Sequence, residues 1–336
     1  MNIYFAGGED ISFPSFGSYN TDTTAGRFRS GWARCGLSAT QSLSTSGAHS
    51  NVFGAGAQTS AWLSFHIFFN PSSGLHASQM FAALGLFGTD NALGVGSDSA
   101  NGAKVAIFKY DGTTRTQLAA ETGTSWTPGA IFKIDMQVIS YGATATVNVY
   151  VNGVLTVTFT GDVTVSGMTN FDSVYLLPYP PNDTPPVYSE IFVTDVDSRG
   201  FLGLQTEALT GAGTTNNFTN NTYTNINGIS FSDANPTYTN TVAQDQQYTL
   251  TAPTPAAYSV SGVVIAARMA ASSGSTPTQI KLGYNSGGTA GFGAGAAKTL
   301  TTGYATYTQI DTLNPVTGVA FTASELAALQ LDLQSA

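Results

Sequence analysis

The fold of this chain is decided by residues 144–160, which read TATVNVYVNGVLTVTFT. Apolar and polar residues alternate on both sides of Asn152-Gly153, and this dipeptide is a preferred centre for a two-residue type I′ turn. The pattern predicts an antiparallel β-hairpin. Such a turn pairs Tyr150 with Leu155 and leaves the hairpin with two faces that are both partly apolar.

The two apolar faces of this hairpin have two explanations. A β-bulge could shift the register of one strand and so change which side chains share a face. Alternatively, a neighbouring sheet, domain or subunit covers the ribbon on both sides. We expect cover, and with it a cyclic homo-oligomer, because the chain also has few charged residues to keep an apolar surface soluble.

Strand patterns continue on both sides of the hairpin. Residues 61–69 and 132–138 alternate apolar and polar side chains with period two, which is typical of a half-buried strand. Further candidate strands, separated by Gly, Asn, Asp or Pro turns, are residues 80–87, 104–110, 144–151, 154–160, 173–177 and 188–195. Their spacing predicts an all-β antiparallel sandwich or jelly roll.

The length of 336 residues exceeds what one hydrophobic core usually supports, so we expect two domains. The first spans residues 1–205. Small polar residues dominate residues 206–217, which we predict to be a linker. A second, smaller β-sandwich then occupies residues 218–336, and its candidate strands are 246–251, 258–269, 278–284 and 303–311.

One helix signal stands near the end of the chain. Residues Thr322-Ala-Ser-Glu325 match a capping box and lead into Leu326, Leu329 and Leu333, whose spacing is typical of a helix. The predicted fold class is therefore two tandem antiparallel β-sandwiches with one short C-terminal helix.

Charge is scarce along the whole chain. Lys and Arg number 11, Asp and Glu number 20, and charged residues make up 9%, against about one quarter in ordinary soluble domains. Nucleic-acid binding needs clustered cations, and the nearest group is Arg27, Arg29 and Arg34, so we expect no nucleic-acid partner. The single cysteine, Cys35, excludes an internal disulfide, and no apolar run is long enough for a membrane helix.

Two carboxylates near the end of a predicted strand are candidates for catalysis. Asp195 and Asp197 lie two residues apart, and Glu190 precedes Asp195 by five residues. Glycosidases need two carboxyl groups about 5 to 9.5 Å apart. Because Arg199 could pair with either Asp, we interpret this segment as a structural turn and predict no catalytic residue.

Metal and cofactor sites are also not predicted. Asp90-Asn91 and Asp98–Gly102 are oxygen-rich loops, but calcium takes six to eight oxygens and neither loop has the spacing of a dedicated site. Three histidines show no metal-ligand spacing: His49, His66 and His76. The glycine-rich run 287–299 has Ala297 where a phosphate-binding loop needs glycine before its lysine, so we interpret it as a flexible strand connection.

Aromatic residues could still bind a neutral sugar. The chain has 15 Tyr and 3 Trp. We place Trp32, Trp62 and Trp126 in the core, and we consider the tyrosines and asparagines as better partners for sugar hydroxyls, because phenols and amides form hydrogen bonds without a charge.

Residues 130–200 resemble the concanavalin A-like, or laminin-G-like, jelly roll. The resemblance rests on Val149-Tyr-Val-Asn152-Gly153-Val-Leu, a strand at 174–177 and the closing strand Tyr188-Ser-Glu190-Ile-Phe-Val. The continuation to Gly200 is similar to such domains in structural proteins of tailed bacteriophages and of phage-like particles of the gene-transfer-agent type. The run Asn314–Leu326 is similar to the endings of the same proteins, in which tryptophan often stands at the position of Phe321.

This resemblance implies a virion protein that is made and assembled in the host cytoplasm. We therefore expect a non-enzymatic fibre, spike or decoration protein whose partners are further copies of itself and other virion proteins. A host surface polysaccharide is a further candidate partner, and no membrane insertion is expected. The alternative is a carbohydrate-active enzyme, a glycoside hydrolase or lyase, on the same jelly-roll fold.

Overall fold

The computed structural model describes residues 2–7, 33–34, 48–51, 58–69, 75–86, 89, 91–177, 186–200, 209–220, 223, 236–250, 259–274 and 276–336. Strands make up 53% of it and helix 3%. The chain divides into two compact units, Met1–Leu204 and Gln205–Ala336. The predicted all-β class, with antiparallel sheets and one short C-terminal helix among the described residues, is confirmed.

Unit 1 is a sandwich of two antiparallel sheets. Its strands are β1 (Ile3–Gly7), β2 (Ala33–Arg34), β3 (Ala48–Asn51), β4 (Ala61–Phe68), β5 (Met80–Gly85), β6 (Asn91–Ser97), β7 (Val105–Asp111), β8 (Arg115–Ala120), β9 (Ile131–Ile139), β10 (Ala145–Val151), β11 (Val154–Gly161), β12 (Ser173–Leu176) and β13 (Val187–Thr194). Sheet 1 has the order β1-β13-β4-β9-β10-β11, with β2 beside β13. Sheet 2 has the order β3-β12-β5-β6-β7-β8.

The core of unit 1 lies between these sheets. Alternation along β4 sends Leu63, Phe65 and Ile67 into it, and all three are fully buried. Phe81 of sheet 2 packs edge-on against Trp126, with ring centroids 5.5 Å apart. Each large apolar side chain buried in this way contributes about 1.5–3 kcal/mol, so the period-two pattern directs the main favourable term of folding into this core.

The hairpin of β10 and β11 contains a β-bulge. Tyr150 pairs with Leu155, whereas Val149 pairs with Val157, so Thr156 is an extra residue in β11. The shift places Val157 on the core face beside the fully buried Val149 and leaves Leu155 exposed. The bulge, the less favoured of the two explanations from the sequence, is therefore present, the facing sheet of the same unit covers the Val149 side, and the cyclic homo-oligomer stays a prediction without this support.

Unit 2 contains a larger and a smaller antiparallel sheet. Its strands are β14 (Leu209–Asn216), β15 (Asp245–Leu250), β16 (Val263–Met269), β17 (Gln279–Ser286), β18 (Thr289–Gly291), β19 (Ala297–Thr299), β20 (Ala305–Asp311) and β21 (Gln330–Ser335). The larger sheet has the order β14-β15-β21-β17-β18, with β19 beside β17, and the smaller pairs β16 with β20. Ile265, Leu282 and Tyr284 are buried in the core of this unit.

Three expectations for unit 2 are corrected. Residues 209–216, inside the predicted linker 206–217, form the edge strand β14, because Thr and Asn can pair along a strand without an apolar face. The glycine-rich run contains β18 and β19. The C-terminal helix α1 spans only Ala323–Ala327, and the residues after it form β21, since Leu331 and Leu333 also fit a period of two.

The capping box itself is present. Thr322 accepts a hydrogen bond from the Glu325 backbone N–H, and the Glu325 carboxylate accepts one from the Thr322 backbone N–H. In the part of the chain that the structure describes, no helix is long and apolar enough to cross a membrane.

Candidate functional site

One surface of unit 1 brings together ionisable, polar and aromatic side chains. It is the face of sheet 1 that points away from the core, and we call it the outer face. On β4, Trp62, Ser64 and His66 alternate with the core residues and so lie on this face. Its further residues are Lys133, Asp135, Gln137, Asn148, Tyr150, Ser189, Glu190 and Phe192.

His66 and Glu190 form an ion-pair contact on the outer face. The distance between His66 Nδ1 and Glu190 Oε2 is 2.9 Å. The Glu190 side chain is 4% exposed and the His66 side chain 17% exposed. Because a carboxylate only accepts hydrogen bonds, its position beside Nδ1 favours the tautomer that carries the proton on Nδ1.

A β-bulge places Glu190 on this face. The pairing of β13 with β4 shifts between Ser189 and Phe192, and Glu190 has a φ of 51°. A non-glycine residue in this left-handed region costs about 1–3 kcal/mol and persists only where its surroundings enforce it, most often at functional sites. The bulge lets two successive polar residues face outward while Ile191 returns to the core.

Two buried polar atoms lie near this pair. Glu190 Oε1 and Ser64 Oγ are both buried and have no hydrogen-bond partner among the described residues. Buried polar groups in folded proteins are nearly always satisfied, so an exception calls for an explanation such as strain or catalysis. Here both exceptions belong to the same face as the His66–Glu190 contact.

The second carboxylate of the outer face is neutralised. Asp135 is fully buried, and its two oxygens lie 2.9 and 3.1 Å from Lys133 Nζ. The Ser198 hydroxyl donates to the same carboxylate at 3.2 Å. Lys133 Nζ also donates to the backbone oxygens of Ser198 and Arg199, which holds the segment after β13 against the sheet.

An aromatic stack borders this ion pair. The rings of Trp62 and Tyr150 lie 5.8 Å apart and nearly parallel, and the Arg199 guanidinium lies 4.5 Å above the Tyr150 ring. Such cation–π contacts contribute about 0.5–1 kcal/mol at exposed sites. Trp62 is buried, as expected, but beneath Arg199 on the outer face and outside the sandwich core.

The two aspartates singled out from the sequence have structural partners. Asp195 accepts hydrogen bonds from the Asn2 backbone N–H at 2.7 Å and from Asn2 Nδ2 at 2.8 Å. Hydrogen bonds from the Arg199 guanidinium hold the pKa of the Asp197 carboxyl below its usual value. The predicted turn thus ties β1 to the end of β13, and the structure brings His66 together with Glu190 instead.

Side chains of the oxygen-rich loop at residues 98–102 accept hydrogen bonds from within the protein. Asp98 accepts a hydrogen bond from Gln117 Nε2 at 2.7 Å, and Asn101 Oδ1 accepts one from the Ala103 N–H. Within the described ranges no group of three or more His, Cys, Asp or Glu side chains could hold a metal ion. Several residues named in the sequence analysis lie outside the residues or side chains that the structure describes: Arg27, Arg29, Trp32, Arg34, Cys35, His49 and Asp90.

Comparison with known proteins gives structural neighbours only. No family model matches the chain, and no curated protein is similar to it. An alginate lyase in complex with alginate tetrasaccharide matches 60% of this chain and 94% of its own, at 12% identity and a TM-score of 0.37. An endo-β-1,4-glucuronan lyase from the fungus Trichoderma reesei matches 57% and 94%, at 9% identity and a TM-score of 0.40. Domain 4 of an extracellular arabinanase from Geobacillus stearothermophilus, with bound arabinotriose, matches 53% and 75%, at 16% and 0.35.

These neighbours correct the functional expectation. None of the three is a virion protein and all three are described with a carbohydrate, so the expectation of a non-enzymatic fibre, spike or decoration protein is contradicted. Since TM-scores below 0.5 carry no argument about mechanism, the case for the carbohydrate-active alternative depends on the outer face itself.

Proposed function

We propose that unit 1 is a carbohydrate-active domain in which His66, oriented by Glu190, transfers a proton during cleavage of a polysaccharide. The observation that carries this proposal is the 2.9 Å contact between a partly exposed imidazole and a buried carboxylate on a strained bulge. A histidine held in one tautomer by a carboxylate is a common general base, and such a base contributes roughly 10²- to 10⁴-fold to a rate.

The composition of the outer face favours elimination over hydrolysis. Hydrolysis of a glycoside by the usual route needs two available carboxyl groups. On this face Lys133 and Ser198 already occupy the Asp135 carboxylate, which leaves Glu190 in contact with His66. One histidine–carboxylate pair suits removal of a carbon-bound proton next to a carbonyl group.

The substrate class follows from that chemistry. In a uronic acid the carboxyl group acidifies the neighbouring C–H, and His66 Nε2 takes this proton. The C–H electron pair forms a carbon–carbon double bond while the bond to the glycosidic oxygen breaks. The imidazolium then holds the proton that the leaving oxygen needs, so the step requires no oxidant or reductant.

A product assay tests this proposal. The full chain is incubated with uronate polymers such as alginate and glucuronan and with neutral arabinan. We expect cleavage of a uronate polymer with ultraviolet absorbance from the new conjugated double bond. His66→Gln should lower the rate roughly 10²- to 10⁴-fold. Glu190→Gln, which can still accept from Nδ1, should lower it less.

Asp111→Asn is the matched control, because Asp111 lies on an exposed turn of sheet 2 and should leave the rate unchanged. New reducing ends without the double bond would contradict elimination and indicate hydrolysis. No cleavage of any polymer in the panel would contradict the proposal.

The phage-like sequence similarity suggests where such a domain works. We propose that it is carried on a phage or phage-like particle and acts on a host surface polysaccharide, in association with other copies of itself. Support for this location comes from the segments 188–200 and 314–326 quoted above. Locating the chain in intact particles by electron cryo-microscopy tests it.

A further inference from the structure

A lysine–amide–carboxyl row, in which the amide and the carboxyl group are buried and the lysine is half-buried, connects the two sheets of unit 2. Lys298 belongs to β19 in the larger sheet, and Gln309 and Asp311 belong to β20 in the smaller one. Lys298 Nζ lies 3.1 Å from Gln309 Oε1, and Gln309 Nε2 lies 2.8 Å from Asp311 Oδ1.

The orientation of the Gln309 amide is fixed by its partners. A lysine ammonium has only donors, so the carbonyl oxygen must face Lys298. Both hydrogens of Nε2 are used, one toward Asp311 Oδ1 and one toward the Ala294 backbone oxygen at 3.2 Å. The carbonyl carbon is therefore polarised on one side by an amine, and the nitrogen on its other side contacts a carboxyl group.

The surroundings of the row are shielded from water. Gln309 is 3% exposed and Asp311 is 7% exposed. A Cβ at Gly293 would lie 1.8 Å from Asp311 Oδ1, so only glycine lets the loop backbone approach the carboxyl group this closely. The glycine-rich run 287–299, which the sequence analysis interpreted as a flexible strand connection, provides this close cover.

Burial moves both ionisable groups toward their neutral forms. It raises the pKa of the Asp311 carboxyl and lowers the pKa of the Lys298 ammonium. A neutral amine is a nucleophile, and a protonated carboxyl group can deliver a proton. Asp311 Oδ2 is buried and has no hydrogen-bond partner among the residues described.

We propose that Lys298 and Gln309 form an intramolecular isopeptide bond once unit 2 has folded. The Lys298 amine attacks the Gln309 side-chain carbonyl carbon and forms the new C–N bond. Asp311 shuttles the proton from the attacking nitrogen to the leaving nitrogen, and the old C–N bond breaks. One ammonia molecule leaves and an amide remains, so atoms and charge balance without any co-reactant.

Unit 2 contains a matched row that we expect to stay unlinked. Lys281 Nζ lies 2.9 Å from Gln334 Oε1, and Gln334 Nε2 lies 2.9 Å from Asp245 Oδ1. These three side chains form a row across neighbouring strands of one sheet and are only half-buried. The distances in the two rows differ by at most 0.2 Å, and only the amide and the carboxyl group are less buried in the second row, so the comparison separates the effect of shielding from the effect of proximity.

The bond would give this unit a covalent staple. The chain has one cysteine, which lies in the other unit, so no disulfide can join β19 to β20. An amide serves the same purpose and, unlike a disulfide, resists reduction.

Intact mass spectrometry of the purified full chain tests the proposal. We expect the wild-type mass to be lower than the calculated mass by one ammonia, and peptide mapping to give a branched peptide joining residues 298 and 309. Lys298→Arg and Asp311→Asn should have their full calculated masses, because a guanidinium does not attack and an amide does not shuttle the proton. Lys281→Arg should retain the loss.

The wild-type result alone decides the matter, so it does not depend on the folding of any variant. A full calculated mass after prolonged incubation of the folded wild-type chain, or a branched peptide at another position, would overturn the proposal.

Discussion

Among the residues that the structure describes, each unit buries one carboxyl group completely on its sheet, and the two carboxyl groups have different partners. Asp135 of unit 1 is bound by Lys133 and by the Ser198 hydroxyl. Asp332 of unit 2 has one amide donor, Gln247 Nε2 at 3.0 Å, and its Oδ1 has no partner in the described part of the chain. Burial, with a smaller contribution from Asp245, raises the pKa of Asp332 to about 6.

The difference teaches how a chain with few charges handles those that it buries. A buried carboxylate can stay ionised where a cation and hydrogen bonds replace water. Without such partners its pKa rises and the carboxyl group binds a proton instead. Unit 1 therefore surrounds its buried carboxyl group with a cation and a hydroxyl, whereas burial in unit 2 raises the pKa of Asp332 to about 6.

The largest effect is expected from breaking the unit 1 pair. Lys133→Met keeps the aliphatic stem but leaves the Asp135 charge buried and unpaired, which should lower the free energy of unfolding by about 3–5 kcal/mol. Denaturant unfolding followed by tryptophan fluorescence measures this change in unit 1, because all three tryptophans precede residue 205.

Two further variants separate charge from packing. Lys109→Met, whose amine contacts backbone oxygens of residues 162 and 164 at the surface, should cost less than about 1 kcal/mol. Adding Asp135→Asn to Lys133→Met should recover part of the loss. Failure of this double variant to recover any stability would show that Lys133 matters through packing alone.

An intermediate effect is expected from removing the unpaired charge of unit 2. The Asp332 pKa of about 6 lies above the unfolded value of about 3.9, so the folded state favours the protonated form. The stability that protonated Asp332 contributes to the folded state is fully present below about pH 4 and is lost as the pH rises through about 6. Asp332→Asn should therefore stabilise unit 2 by about 2–3 kcal/mol at pH 8 and leave it unchanged at pH 4.

Hydrogen exchange of the β21 amides at the two pH values measures this effect. Equal stability of the two proteins at pH 8 would contradict it, and a gain of the same size at pH 4 would assign the effect to packing.

The smallest effect is expected from giving Asp332 a lysine partner like that of Asp135. Gln247 lies directly across from Asp332 in the pairing of β15 with β21. Gln247→Lys places an ammonium there, as Lys133 is placed beside Asp135, and should lower the Asp332 pKa. Because the new amine must also be desolvated and the hydrogen bond from Thr215 is lost, we expect a net change within about 1 kcal/mol at pH 8.

The informative readout for this variant is the pH dependence of β21 exchange between pH 4 and 7. The protection of the β21 amides, corrected for the intrinsic exchange rates, should no longer change with pH. An unchanged pH dependence would mean that position 247 does not control the charge of Asp332.

The sequence predicted the strands whose alternation is strong and missed those whose side chains are small. Residues 61–69 and 132–138 correspond closely to β4 and β9. The strand β6, Asn91-Ala-Leu-Gly-Val-Gly-Ser, was missed because its glycines remove the alternation. At the C-terminus, leucines at 326, 329 and 333 fit a helix whereas those at 329, 331 and 333 fit a strand, and pairing of β21 with two neighbours decides for the strand.

Only one of the two residues of the candidate site could be recognised from the sequence. His66 stands out as a polar residue within an apolar strand, but its partner depends on a bulge. The usable signal is Ser189-Glu190, two successive polar residues between Tyr188 and Ile191, where a regular strand would place one of them in the core. Pairing registers arise from tertiary contacts, so the sequence showed the irregularity without showing which side chain it would reach.

The bulge in β13 also bears on how this site could be gained or lost by inheritance. Glu190 is the inserted residue, and the residues on either side of it keep the alternation that fills the core. Deleting this one codon would restore a regular strand and remove the carboxylate while leaving every core side chain on its side of the sheet. A lineage could thus switch the site on or off by a single in-frame insertion or deletion, at little cost to the sandwich that carries it.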